Sequence, residues 1–341
     1  MKPKSILTAL AAALLAPGAL FAQTTATTTP VGYITHSIAG AGTEPAAETY
    51  VAATLVQSNE FVGQTTVTPS GGDVATFSGG VPASLNGEYV LEITTGPNAG
   101  WWSTVVSSNS TTVTVFDEFP ASLPANTQIS IRKHSTLQNF MGLNTPGLVE
   151  FNGSDASDEV QIFDPVTQSA ISYVFVSGDN LGDPSFPDGA WFNLNTSLPE
   201  AVTVITPGSS VVVKRIGSSA LSFVSTGTVK TTSTQVDVYD GFTFIGATNA
   251  GSGTLDSYNF ADQLNPWDGS QSEGYDELQI LGADQQGTIF TAIDEGTKVI
   301  WSISASDYAG TTPFPAGTGL VFRRIGIAAS TITIPGSTVA P

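Results

Sequence analysis

Short apolar stretches of about four to eight residues, broken by Gly, Pro, Asn and Ser, run from Val31 to Ile334. Thr49–Val56, Tyr89–Thr94, Thr111–Phe116, Gln128–Arg132, Ile171–Val176, Ser210–Lys214, Val236–Tyr239 and Lys298–Ile303 are examples. They are rich in Val, Ile, Thr, Phe and Tyr, the residues that suit a pleated, half-buried surface. Beyond Ala22 no stretch carries a helical period of useful length. The pattern predicts an all-β protein, with 35 Gly and 20 Pro to supply its turns.

The same succession of landmarks occurs twice. Asp158-Glu-Val-Gln-Ile162, Trp191 and Gly208–Gly217 are followed in the same order by Asp276-Glu-Leu-Gln-Ile280, Trp301 and Gly317–Gly326. Thr136-Leu137 matches Thr254-Leu255, and Asp158 matches Asp276, both 118 residues on. The tryptophans are 110 apart and Gly208 and Gly317 are 109 apart, so the first copy holds about eight extra residues within Ser177–Gly189. Upstream, Tyr50–Leu55 resembles Phe242–Ala247 at a separation of 192, a jump of 74 that equals the length of Phe61–His134.

These offsets predict two related β-sandwich or barrel-like modules. Module one is 31–60 plus 135–217, and module two is 218–334. An inserted small β-barrel or hairpin-rich unit, 61–134, splits the first. The alternative is three consecutive domains with chance similarity at their strands. The insert has a hairpin of its own, Glu92-Ile-Thr-Thr-Gly96-Pro97-Asn98-Ala-Gly100-Trp101-Trp102.

The ends read differently. Lys2 and Lys4, an apolar run from Ile6 to Leu15 and the small-residue exit at Ala22 make Met1–Ala22 a secretory signal. Gln23–Pro30 is a Thr-rich leader and 335–341 a tail. No later apolar run has the length of a membrane-spanning helix, so none is expected in the mature chain. The expected location is secreted: extracellular, at the cell surface or in the periplasm of a bacterium. Formal charge is −19, and loss of Lys2 and Lys4 leaves −21, which repels phosphate backbones and argues against nucleic acid as a partner. With no cysteine, disulfides and thiolate chemistry are excluded.

Several of these features resemble an uncharacterised family of exported bacterial proteins with repeated β modules. They are the Pro30-Val31-Gly32 start, the hairpin residues Glu92, Gly96-Pro97 and Gly100, the strand-opening Asp158 and Asp276, the lone Trp191 and Trp301, and the module-ending Arg323-Arg324. The turns before the last strands, Pro207-Gly-Ser-Ser210 and Ala316-Gly-Thr-Gly319, depart from that family's usual Pro-Gly-x-Gly. The resemblance implies export and repeated β modules, and supplies no activity.

Three sets of residues are candidates for chemistry. The dibasic pairs Arg132-Lys133, Lys214-Arg215 and Arg323-Arg324 each send one cation to either face of a strand. They would either bind an anionic partner or neutralise carboxylates of their own unit, such as Asp158-Glu159 and Asp276-Glu277. Trp101, Trp102 and Trp267 are candidates for a glycan-stacking platform, whereas Trp191 and Trp301, at equivalent repeat positions, suit a core. Asp179, Asp183 and Asp188 are hard oxygen ligands in a Gly/Pro-rich loop and the candidates for a Ca²⁺ site, without the spacing of an EF-hand. No other cofactor is indicated. Two histidines, His36 and His134, and the absence of Gly-x-Ser-x-Gly, His-Glu-x-x-His and phosphate-loop motifs leave no catalytic constellation. The reading is a non-enzymatic exported structural or adhesive protein that self-associates or binds a cell-surface polymer. A carbohydrate-binding module protein is the alternative, and a polysaccharide-degrading enzyme a distant third.

Overall fold

The computed structural model describes residues 30–66, 72–120, 123–143, 145–200, 202–281, 287–294, 299–303 and 308–338. The signal segment, the leader up to Thr29 and the tail from Val339 lie outside the described residues. The chain is an all-β protein whose named strands pair antiparallel. The first strands are β1 (Val31–Ile38) and β2 (Ala47–Ala52). Next come β3 (Asn59–Gln64), β4 (Val74–Thr76), β5 (Tyr89–Ile93), β6 (Trp102–Ser108), β7 (Thr112–Val115) and β8 (Gln128–Lys133). They are followed by β9 (Ser135–Thr136), helix α1 (Leu137–Met141), β10 (Glu159–Asp164), β11 (Ser169–Val176) and helix α2 (Gly178–Leu181). Then stand β12 (Ala190–Asn193), β13 (Leu198–Glu200), β14 (Val204–Ile205), β15 (Ser210–Arg215) and β16 (Leu221–Thr228). The rest are β17 (Thr234–Val238), β18 (Gly241–Gly246), β19 (Gly253–Thr254), β20 (Tyr275–Leu281), β21 (Gly287–Asp294), β22 (Val299–Ser302), β23 (Pro313–Phe314), β24 (Gly319–Ile325) and β25 (Ser330–Ile334).

Two sheets repeat the same order. One runs β13-β12-β11-β10-β15-β2 and the other β22-β21-β20-β24-β18. Each shares a core with a two-stranded ribbon, β1–β16 in the first and β17–β25 in the second. In β1 and β16 buried and exposed residues alternate, so one face carries Ile34, His36, Ile38, Leu221 and Phe223 inward. Trp191 and Trp301 are both buried, each in the core of its own unit. The Thr-Leu landmarks are capping sites. Thr136 Oγ1 accepts from Asn139 N while Asn139 Oδ1 accepts from Thr136 N, and Thr254 and Ser257 exchange the same pair of bonds.

Residues 59–133 form a third sheet, β3-β8-β5-β6-β7-β4. Thr65 bridges to Phe77, so its two end strands meet and enclose Leu91, Ile93, Val105, Val113, Ile129 and Ile131.

Strand pairing moves one boundary. The offsets put Leu221–Thr228 in the second module, yet it pairs along its whole length with β1. The second module closes on itself in the same manner, β25 onto β17, with Ile332 and Ile334 fully buried. β25 is therefore occupied within its own chain. Repeat matching misses β16 because it shares little sequence with β25, whose partner and core are equivalent. The upstream match also shifts by two residues. Tyr50 pairs with Val212 as Phe244 does with Val321, and these two rings pack together at 5.3 Å.

That contact lies in a reciprocal joint between the modules. Gly208 O accepts from Gly246 N, and Gly317 O accepts from Ala52 N. Ser209 bridges to Ile245, and Thr318 bridges to Val51. Each turn thus binds the other module's sheet edge, and each presses on the other module's ribbon. Gly208 and Gly317 have φ of +78° and +77°. A Cβ on them would lie 2.5 Å from Val236 Cγ2 and 2.6 Å from His36 Cε1, so only glycine suits either turn.

His36, beneath Gly317, stacks on Phe223 at 4.7 Å and its Nε2 lies 2.9 Å from Ser225 Oγ. Burial lowers its pKa to about 4, and burial followed by the Arg132 charge does the same for His134. The unfolded chain therefore takes up these protons first. Stability present above about pH 6.5 is lost as pH falls towards 4, at steepest by on the order of 1 kcal/mol per pH unit for each histidine. In urea titrations between pH 7 and 4.5, His36→Gln should show a shallower decline than the parent. Superimposable declines would exclude His36 as a contributor.

Candidate functional site

The strongest concentration of buried charge lies at the three dibasic pairs. Alternation along the closing strand of each unit sends one cation inward and the other to the surface. Arg324 reaches Asp276 through two parallel contacts, Nε to Oδ1 at 2.9 Å and Nη2 to Oδ2 at 3.0 Å. Arg215 Nη1 lies 2.6 Å from Asp158 Oδ2, and Arg132 Nη1 lies 2.5 Å from Glu92 Oε2. The outward members meet exposed or half-buried carboxylates: Arg323 with Glu277 at 3.1 Å, Lys214 with Glu159 at 3.6 Å, and Lys133 with Glu88 at 3.2 Å.

Each inward pair also ties loops. Asp158 accepts from Val149 N and Ile216 N, while Arg215 donates to the carbonyls of Gly147 and Ser219. Asp276 accepts from Asn265 N and Nδ2, and Arg324 donates to Ala328 O and Ser330 Oγ. Hydrogen bonds of this kind are what make a buried ion pair tolerable. Arg215 and Arg324 are consumed in neutralisation and are not presented to a partner.

Glu92 differs. It is 1% exposed and binds two cations, Arg132 and Lys230, and also accepts from Thr232 Oγ1 at 3.2 Å. Lys230 stands in the linker between β16 and β17 and also donates to Thr232 O and Oγ1 and to Ser233 O. The Gly96-Pro97 hairpin docks where that linker enters β17. Gly100 O accepts from Gln235 N at 2.8 Å, and Trp102 Nε1 donates to Gln235 O at 2.9 Å. Sequence reasoning missed Lys230. Its signal was that it stands in the linker apart from any dibasic pair, in a chain with 10 Lys and Arg in all.

The aromatic candidates separate. Trp101 packs on Phe119 at 4.9 Å against the insert core, and Trp102 is fixed at the hairpin dock. Neither is offered as a stacking surface, because the adjacent strand positions turn one ring inward and the other onto the start of β17. Trp267 is half-buried, with Nε1 donating to Gln271 O, and its ring lies 6.4 Å from Tyr275. Together with Glu277, Thr291, Ile293 and Ser302 these rings line a groove of about 330 Å³. A larger cleft of about 680 Å³ runs between β1 and β2 on one side and Pro313–Thr318 on the other. Glu48 is the one carboxylate among its walls. Burial and then Glu48 push the Tyr50 phenol up.

The acidic loop does not form a cage. Asp179, Asp183 and Asp188 are all exposed, and Asp183 caps its own turn by accepting from Ser185 N. Among the described residues no three His, Cys, Asp or Glu side chains converge as metal ligands. Neither a scan against protein-family models nor a search of curated proteins finds a match for this chain.

Removing one partner of a satisfied buried pair leaves the other charge unneutralised. Arg324→Met should therefore destabilise the fold by roughly 3–5 kcal/mol, and its exposed neighbour's Arg323→Met by less than about 1 kcal/mol. Urea denaturation of both variants checks this. Equal effects would show that Asp276 is solvated rather than buried.

Proposed function

We propose that this chain is a non-enzymatic protein, exported to the surface or surroundings of a bacterial cell, that acts as a structural or adhesive subunit by self-association. The observation that supports it is the outer face of the β1–β16 ribbon. Val31 is 80% exposed and Tyr33 75%, and Val224 lies exposed on the same side. The equivalent ribbon of the second module turns polar Gln235, Asp237 and Thr331 outward, and the insert's hairpin already covers Gln235. The second ribbon is thus polar and covered at Gln235, whereas the first exposes Val31, Tyr33 and Val224 among Thr35, Ser37, Ser222 and Thr226. Apolar surface of this kind on an otherwise acidic molecule suits contact with a second copy. The charge distribution agrees with a scaffold. Buried Asp158 and Asp276 are each closed by an arginine, and among the described residues each groove is lined by one carboxylate, where a glycosidase needs two.

Contact between chains of net charge −21 must work against repulsion, so association should strengthen with ionic strength. Sedimentation and negative-stain electron microscopy of Gln23–Pro341 should show concentration-dependent assemblies, and Tyr33→Asp should leave the monomer. A wild type that stays monomeric at high concentration and high salt overturns the proposal.

A second reading, glycan binding, is favoured by the Trp267–Tyr275 groove, where two rings stand beside hydroxyl and carboxylate groups. It predicts saturable retention on a polysaccharide in affinity electrophoresis, lost on Trp267→Ala and retained on Trp102→Ala if the fold persists. Equal retention of both variants would remove that groove from consideration.

A further inference from the structure

The insert, the linker after β16 and the turn before β15 meet around a small cavity of about 20 Å³. Arg132, His134, Lys230 and Thr234 contribute to its walls, and all four are buried. Charge is unbalanced here. In the two repeats one buried arginine meets one buried aspartate, whereas here two buried cations, Arg132 and Lys230, share the single carboxylate of Glu92. Lys133, the other cation of the wall, is exposed and paired with Glu88. His134 is neutral at pH 7 and adds no charge. A net positive charge among buried side chains is unfavourable unless something compensates it.

Three polar atoms in the same walls have no hydrogen-bond partner: Arg132 Nη2, His134 Nδ1 and Thr234 Oγ1. Each is able to donate. His134 Nε2 lies 3.2 Å from Thr104 Oγ1, and if it accepts that hydroxyl proton the ring's own proton stays on Nδ1. The volume suits one water-sized occupant. Phosphate, sulfate and carboxylates are too large for it.

We propose that this cavity binds one monatomic monovalent anion of halide size, held by Arg132, His134 and Thr234 and balancing the second cation at Glu92. The ion would lock the end of β8 to the linker between modules. The other occupant of suitable size is a water molecule, which brings no charge and leaves the imbalance in place.

The test uses the mature chain at constant ionic strength. Replacing sodium gluconate by sodium chloride or bromide should raise Tm by about 3 °C or more, saturating with concentration as binding to the folded state requires. Crystals soaked in bromide should show an anomalous peak in the cavity. Thr234→Val keeps both ion pairs and replaces an unpartnered hydroxyl by a methyl group. It should melt in gluconate no lower than the parent, and its halide-dependent rise should be lost. Equal Tm in gluconate and chloride, or a halide-free cavity in bromide-soaked crystals, overturns the proposal. So does a halide response undiminished in Thr234→Val.

Discussion

The buried carboxylate met by an arginine one strand away is the constraint on which the other features depend. It occurs once in each unit, at Glu92–Arg132, Asp158–Arg215 and Asp276–Arg324. In the two larger sheets a cation at the end of the closing strand has to reach an acid at the start of its neighbour, Arg215 to Asp158 and Arg324 to Asp276, which fixes the strand register. A slip by one residue would expose the buried pair and bury the surface one, leaving four charges misplaced. Without cysteine, the chain ties loops to sheets with these pairs rather than with disulfides.

The joint between the modules is reciprocal. Two copies of the same Pro-Gly or Ala-Gly turn bind each other's sheet edge with equivalent hydrogen bonds, so the modules meet as the halves of a two-fold dimer do. The insert breaks this relation. Its hairpin lies on one ribbon only, and the pseudo-equivalent ribbon keeps Val31, Tyr33 and Val224 exposed on its outer face.

Much of this was legible in the chain. Alternation gave the strands, and the Asp, Trp and dibasic landmarks marked positions that proved to be buried pairs and core rings. Each of those residues carries a local requirement that restricts its type. What stayed hidden depended on distance. The partner of β1 stands about 190 residues away, from Val31 to Leu221, and nothing in Leu221–Thr228 names it. Lys230 has no motif, since its role comes from a glutamate 138 residues upstream. Trp101 and Trp102 read as candidates for a stacking platform because no sequence pattern reports what covers a hairpin. Acidic residues in a Gly/Pro-rich loop likewise carry no information on whether their side chains converge.

The pairing of β1 with β16 sets an order of events on a chain that emerges from its N-terminus. Residues 59–133 contain all of their own sheet and can fold as soon as they are available. The first module must hold β2 unpaired until Arg215 has appeared and β1 until Thr228 has, across loops whose closure entropy grows with their length. The second module, contiguous from Thr234 to Ile334, then folds onto a finished edge. The earliest strand to emerge is among the last to find its partner, and the already folded insert shortens the free chain that its search must close.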